Sequence, residues 1–145
     1  MIRVEREIEV DRPAEEVFAR LTRIEDLPNW QPAIREAAIT SPGPLGAGST
    51  IRLVVDAAGQ QTEAHGRVVD YAPPERIALE ASAGPADLIA AVKVTPIDAD
   101  RCAVWLGTDI KLGGLLRFAE GMVRGRIEAE APEAAAHIKS WLESD

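Results

Sequence analysis

The sequence is poor in cysteine, histidine, aromatic residues and positive charge, and each shortage removes a class of function. Cys102 is the only cysteine, so no intrachain disulfide and no cysteine-based metal site can form. Its segment, Cys102-Ala-Val-Trp-Leu106, reads as a strand, where a small buried hydrophobe is expected rather than a reactive thiol. The two histidines, His65 and His137, lie far apart with no His-x-x-x-His spacing, and no metal or other cofactor is expected. Lys and Arg number 16 against 24 Asp and Glu, with no basic run. A nucleic-acid face needs clustered cations to displace counterions from phosphates. Nucleic acid is therefore not an expected partner, and the net charge of -8 opposes an anionic membrane surface. No segment approaches the ~20 apolar residues of a membrane span. The N-terminus alternates charged and apolar residues, unlike the unbroken apolar stretch of a signal peptide. The expectation is a cytoplasmic protein without integral membrane association.

What is present is ordinary for a globular chain: 145 residues, 46% hydrophobic and 28% charged. A chain of this length can bury about 68–70% of its unfolded surface, so one core suffices. Repeats and linkers are absent, and residues 1–145 are read as one domain.

Ile2, Val4, Ile8 and Val10 fall on alternate positions, the period of a strand with one buried face. Ala14, Val17, Phe18 and Leu21 then take helical spacing, with Pro13 in the first turn and Asp11 as a cap. A second short helical turn ends before Trp30. Strands follow over Ile34 to Thr40, from Ile51, over Gln61 to Tyr71, from Ile77, over Leu88 to Thr95, and over Arg101 to Lys111, with turn signals such as Ala58-Gly59 between them. Leu88 to Thr95 is nearly all apolar, which predicts a strand covered on both faces. After Gly113-Gly114, the residues Leu116, Ala119, Val123, Ile127, Ala131, Ala134, Ile138 and Trp141 repeat every 3.6 residues on average. The stripe keeps phase across Pro132, predicting one long helix bent there.

One strand, two short helices, six strands and a long helix describe an α+β fold: a curved antiparallel sheet of about seven strands around a long C-terminal helix. A helix laid across a strongly bent sheet does not pack flush, so an apolar cavity is expected between them. Several stretches carry a family resemblance: Ile8-Glu-Val-Asp-Arg-Pro-Ala-Glu-Glu-Val-Phe-Ala-Arg-Leu21, Leu27-Pro-Asn-Trp30, Gly46-Ala-Gly-Ser49, Val68-Val-Asp-Tyr-Ala-Pro-Pro-Glu-Arg-Ile77 and the closing Ile138-Lys-Ser-Trp-Leu-Glu143. Together they resemble the START-like or SRPBCC superfamily, within it the polyketide cyclase/dehydrase and lipid-transport group. The resemblance implies the helix-grip (START/Bet v 1-like) fold. The chaperone-activator branch usually carries a doubled tryptophan where this chain has only Trp30. The coenzyme-Q-binding branch usually has an aromatic-rich segment that Leu27-Pro-Asn-Trp30 lacks.

Arg6 is in phase with the apolar residues of its strand, so a regular strand turns its guanidinium inward, unless it snorkels to water at an edge. His65 shares a face with Glu63 and Arg67; proton shuttling there competes with the plainer reading of a solvated face. Asp109 is an isolated acid. These three are the weak catalytic candidates. No Gly-x-Ser-x-Gly context or phosphate-cradling loop occurs. For ligand binding the expected lining is Trp30, Leu53, Leu79, Val92 and Trp105, with Leu116, Ala119, Met122 and Val123 on the sheet-facing side of the helix; core packing is the alternative for the two tryptophans. The favoured function is binding or carriage of a small hydrophobic molecule. A cyclase or dehydratase in the same cavity and a regulatory protein-interaction module are the alternatives, and homodimerisation is left open.

Overall fold

The computed structural model describes residues 2–31, 34–57, 60–84 and 86–144, apart from the side chains of residues 57, 60, 115–117 and 131. Strand β1 (Ile2–Val10) leads into α1 (Ala14–Leu21), a 3-10 turn (Ile24–Asp26) and α2 (Leu27–Trp30). Six strands follow: β2 (Ile34–Ile39), β3 (Thr50–Ala57), β4 (Gln60–Ala72), β5 (Arg76–Ala83), β6 (Ala86–Asp98) and β7 (Arg101–Leu112). A 3-10 turn (Gly114–Ala119) then precedes α3 (Glu120–Glu143). Among the described residues the seven strands form one antiparallel sheet in the order β1-β7-β6-β5-β4-β3-β2. The chain crosses from one edge to the other through α1 and α2. The expected Ala58-Gly59 turn lies outside the described residues.

Alternation sets which side chains face the helices. Ile8 stands opposite Val104, Leu106 opposite Val92, and Val68 opposite Leu79, all on the inner face. A bulge between Val68 and Asp70 reverses the phase of β4, so Val69 is exposed and Tyr71 turns inward beside Phe18. The outer side of β6 is uncovered: Ile89 is exposed, so this strand is buried on one face rather than on both. Its apolar run predicts cover on both faces, yet an antiparallel sheet can leave one face to water.

The core sits at one end of the inner face. Val17, Phe18 and Leu21 of α1 pack there with Val10, Cys102, Val104, Val94 and Ile77. Pro13, not Asp11, occupies the helix-capping position. The Asp11 backbone N–H instead donates to Glu143 Oε2 at 2.9 Å. That contact belongs to a clamp on the end of α3. Ile138 and Leu142 are fully buried. Arg20 donates to the carbonyls of Leu142 at 3.2 Å and Ser144 at 2.6 Å, and its guanidinium lies 4.6 Å from the centre of the Trp141 ring. Arg12 donates to the Glu143 carbonyl. Lys139 Nζ reaches the Glu9 carbonyl at 2.6 Å and Glu143 Oε2 at 2.8 Å. Helix C-termini leave carbonyls without donors and carry partial negative charge, and these cations answer both needs.

Helix α3 is a single element through Pro132, as the unbroken stripe predicts. Pro132 and Glu128 are both exposed, so the carbonyl that the proline leaves without a donor is open to water. Leu142→Ala removes a fully buried side chain and should destabilise the protein by about 2–5 kcal/mol in urea unfolding. The Lys139 ammonium and the Asp11 N–H hold the Glu143 carboxyl below its ordinary value. A depressed carboxylate stabilises the fold above its unfolded pKa, and that contribution is lost as pH falls through the folded value. Glu143→Gln should therefore lower the melting temperature at pH 7 and narrow its gap to wild type as pH drops below about 4.5.

Candidate functional site

The concave face changes character along β1 and β7. Val10, Cys102 and Val104 are fully buried beneath α1 and the clamped end of α3. Further along, Val4, Arg6, Thr108 and Ile110 face the same way yet are only half-buried, as are Leu79, Leu88 and Ala90 on the neighbouring strands, before Ile2 at the far end of β1 is fully buried again. Val4, Ala90 and Ile110 stand outside the packed core. The reason lies in α3, which packs on β1 and α2 through its C-terminal half. In its N-terminal half, over the described side chains, Val123 and Ile127 are half-buried and the rest is mostly exposed. The helix leaves an apolar stretch of β5, β6 and β7 incompletely covered.

Arg6 is the charged residue on that stretch. Its register partner is Leu106, its neighbours on the same face are Val4 and Ile8, and its Nε is buried without a hydrogen-bond partner. Trp30 is buried within the core, and its indole Nε1 likewise has no partner. Leu53 and Val92 are buried in the core, Leu79 packs against it, and Ala119 and Val123 are half-buried. The Leu116 side chain lies outside the described residues.

Two expected lining residues point elsewhere. Met122 is 80% exposed, and Phe118, one turn earlier, is 89% exposed. The covered stripe of α3 runs through Val123, Ile127, Ala134, Ile138 and Trp141, and Met122, one residue before Val123, falls about 100° away from it on the outer side. Trp105 lies on the outer face, because Val104 and Leu106 take the inner one. Its indole covers Gly107, where a Cβ would come 2.2 Å from the ring, and Lys93 Nζ sits 5.1 Å from the ring centre.

His65 and Asp109 are also on the outer face. His65 Nε2 is 3.2 Å from Glu63 Oε1, the same oxygen that Arg52 Nε meets at 3.0 Å. The Arg52 hydrogen bond holds the Glu63 carboxyl below its ordinary range, so that carboxylate is committed to a cation. Beside it runs a groove of mixed lining, about 660 Å³, bordered by Thr50, His65, Arg67, Glu80, Leu88 and Ile89. Ser82 faces His65 across the strands but donates to Asp87 Oδ1 at 2.7 Å. Serine bonds to a carboxylate and histidine to another, so no Ser–His–Asp relay is formed. Asp109 pairs in register with Ile89 and Arg3, whose Nε is 3.8 Å away. Burial pushes the Cys102 thiol pKa up, which makes it a poor nucleophile. Among the described residues no three His, Cys, Asp or Glu side chains gather to hold a metal, and no helix is long and apolar enough to cross a membrane.

One contact escaped the sequence reading. His137 Nε2 lies 2.8 Å from the Asn29 carbonyl and ties α3 to α2 beside Trp30. No spacing rule relates residues so far apart in the chain.

The sequence matches the family described as polyketide cyclase / dehydrase and lipid transport over residues 1–143. The chain belongs to this family. Solved structures share its helix-grip fold. A START superfamily protein from Mycobacterium smegmatis has 22% identity and a TM-score of 0.77 over 97% of both chains. The Zhui aromatase/cyclase from Streptomyces sp. R1128 has 20% identity and a TM-score of 0.80, covering 97% of this chain and 93% of its own. A Thalictrum flavum norcoclaurine synthase has 16% identity and a TM-score of 0.62, covering 94% and 92%. At these identities the likeness is one of fold. No curated protein matches the chain.

Gly107→Ala forces the Trp105 indole off the sheet and should cost about 1–3 kcal/mol in urea unfolding. Pairing it with Trp105→Ala should recover most of that loss; a Gly107→Ala protein as stable as wild type would contradict the outer-face placement.

Proposed function

We propose that residues 1–145 act as one unit that binds or carries a small hydrophobic molecule between the sheet and α3. One observation carries this reading. Inward-facing Val4, Ala90 and Ile110 are apolar, half-buried and outside the packed core, while the fully buried side chains of α3 among the described residues, Ile138 and Leu142, lie at its C-terminal end. Apolar surface left facing a concavity is stabilised by an apolar ligand, at roughly 25 cal/mol for each Å² removed from water. The proposed lining combines Leu79, Ala90, Ile110 and Val123 with Arg6 as a polar contact.

The family description also covers cyclase and dehydrase chemistry. General acid–base catalysis needs a titrating group within reach of the substrate. Among the described strand residues the inner face presents no His, Asp or Glu, and of the three catalytic candidates His65 and Asp109 are on the outer face, leaving only Arg6 inside. This supports carriage over proton transfer.

The test uses a neutral probe, N-phenyl-1-naphthylamine, whose emission rises in apolar surroundings. Wild type should show saturable enhancement with a 1:1 endpoint. Ala90→Phe fills the uncovered stretch and should weaken binding at least tenfold, whereas His65→Ala on the outer face should leave it unchanged. Equal binding by both variants would locate the probe elsewhere and overturn the reading.

A further inference from the structure

Arg6 lies on a face that otherwise offers nothing charged. Along the strands, the inward positions of the described residues are apolar or neutral, with Arg6 the one ionised side chain among them. The acids nearest in sequence are turned away. Glu5 pairs with Arg3 and Glu9 with Arg101, and Glu7 is exposed on the outer side. Among the described residues Arg6 makes no hydrogen bond or ion pair, and its Nε is buried without an acceptor. Arg6 as a whole is half-buried, but its Nε–H is cut off from water, and a buried N–H without an acceptor is costly. Trp30 Nε1, the other buried polar atom without a partner on the inner side, is also a donor. Neither donor is met by an acceptor of the protein among the described residues.

We propose that Arg6 is an anion-recognition point and that the ligand is an amphipathic carboxylate. Its apolar chain lies along the uncovered part of β5, β6 and β7, and its carboxylate pairs with the Arg6 guanidinium. This assignment rests on the ligand-binding reading above and adds the chemical class. The planar guanidinium presents paired donors that match the two oxygens of a carboxylate, and a low-dielectric wall strengthens that pairing. Thr108, on the same face of the adjacent strand, adds a hydroxyl within the half-buried zone.

The experiment is displacement of N-phenyl-1-naphthylamine at pH 8 by dodecanoate and by 1-dodecanol, which share a chain and differ in charge. Wild type should prefer dodecanoate at least tenfold. Arg6→Leu should bring the two to within about twofold by weakening dodecanoate alone, and Arg6→Lys should retain part of the preference. Circular dichroism and a melting curve establish that the variants are folded, and the wild-type comparison is decisive without them. Equal displacement by both compounds in wild type, or a preference that survives in folded Arg6→Leu, overturns the anion assignment while leaving hydrophobic binding intact. Absence of binding by the probe and both compounds overturns the binding reading and this inference with it.

Discussion

The attachment of the last turns of α3 is the constraint on which the rest of the structure depends. Ile138 and Leu142 are fully buried on a helix that packs on β1 and α2, while Arg12, Arg20 and Lys139 supply donors around the end of the helix. Burying one large aliphatic side chain contributes about 1.5–3 kcal/mol. Exposed ion pairs contribute far less, so the two apolar anchors hold the helix and the cations set its orientation. The same Arg20 that reaches two carbonyls also stacks on Trp141, which makes it a packing residue as much as a charge.

A helix held at one end of a bent sheet closes that end and leaves the other loose. The burial gradient along β7, from Cys102 and Val104 to Thr108 and Ile110, is the direct result. Tight packing and incomplete cover are therefore separated along a single strand. The core beneath α1 needs no ligand, whereas the stretch around Val4, Arg6 and Ala90 stays half-covered by protein alone. The family to which the chain belongs embraces both carriage and cyclase chemistry, and the division between them turns on which side chains reach that stretch.

Much of this was legible from the residues. Period-2 alternation found the strands, and the 3.6-residue stripe found α3, because both follow from backbone geometry and the need to bury one face. Arg6 was legible as an inward cation for the same reason. Facing was less secure where a bulge intervened: Val69 and Tyr71 are set by an extra residue in β4 that no composition signal announces. Met122 faces away because it is adjacent to the covered stripe of Val123 and Ile127 and not part of it. Trp105 was misread because a large aromatic suggests a cavity wall, whereas its strand neighbours compete for the inner face and Gly107 leaves room for the indole outside.

The sequence by itself determined the element order, the fold class, the exclusion of disulfides and the inward phase of Arg6, since these depend on local spacing and residue chemistry. Only the tertiary structure decided that α3 is anchored at one end, that His65 and Asp109 look outward, and that Arg6 has no carboxylate partner. Those outcomes depend on which residues distant in the chain meet across the sheet, and local periodicity carries no information about that.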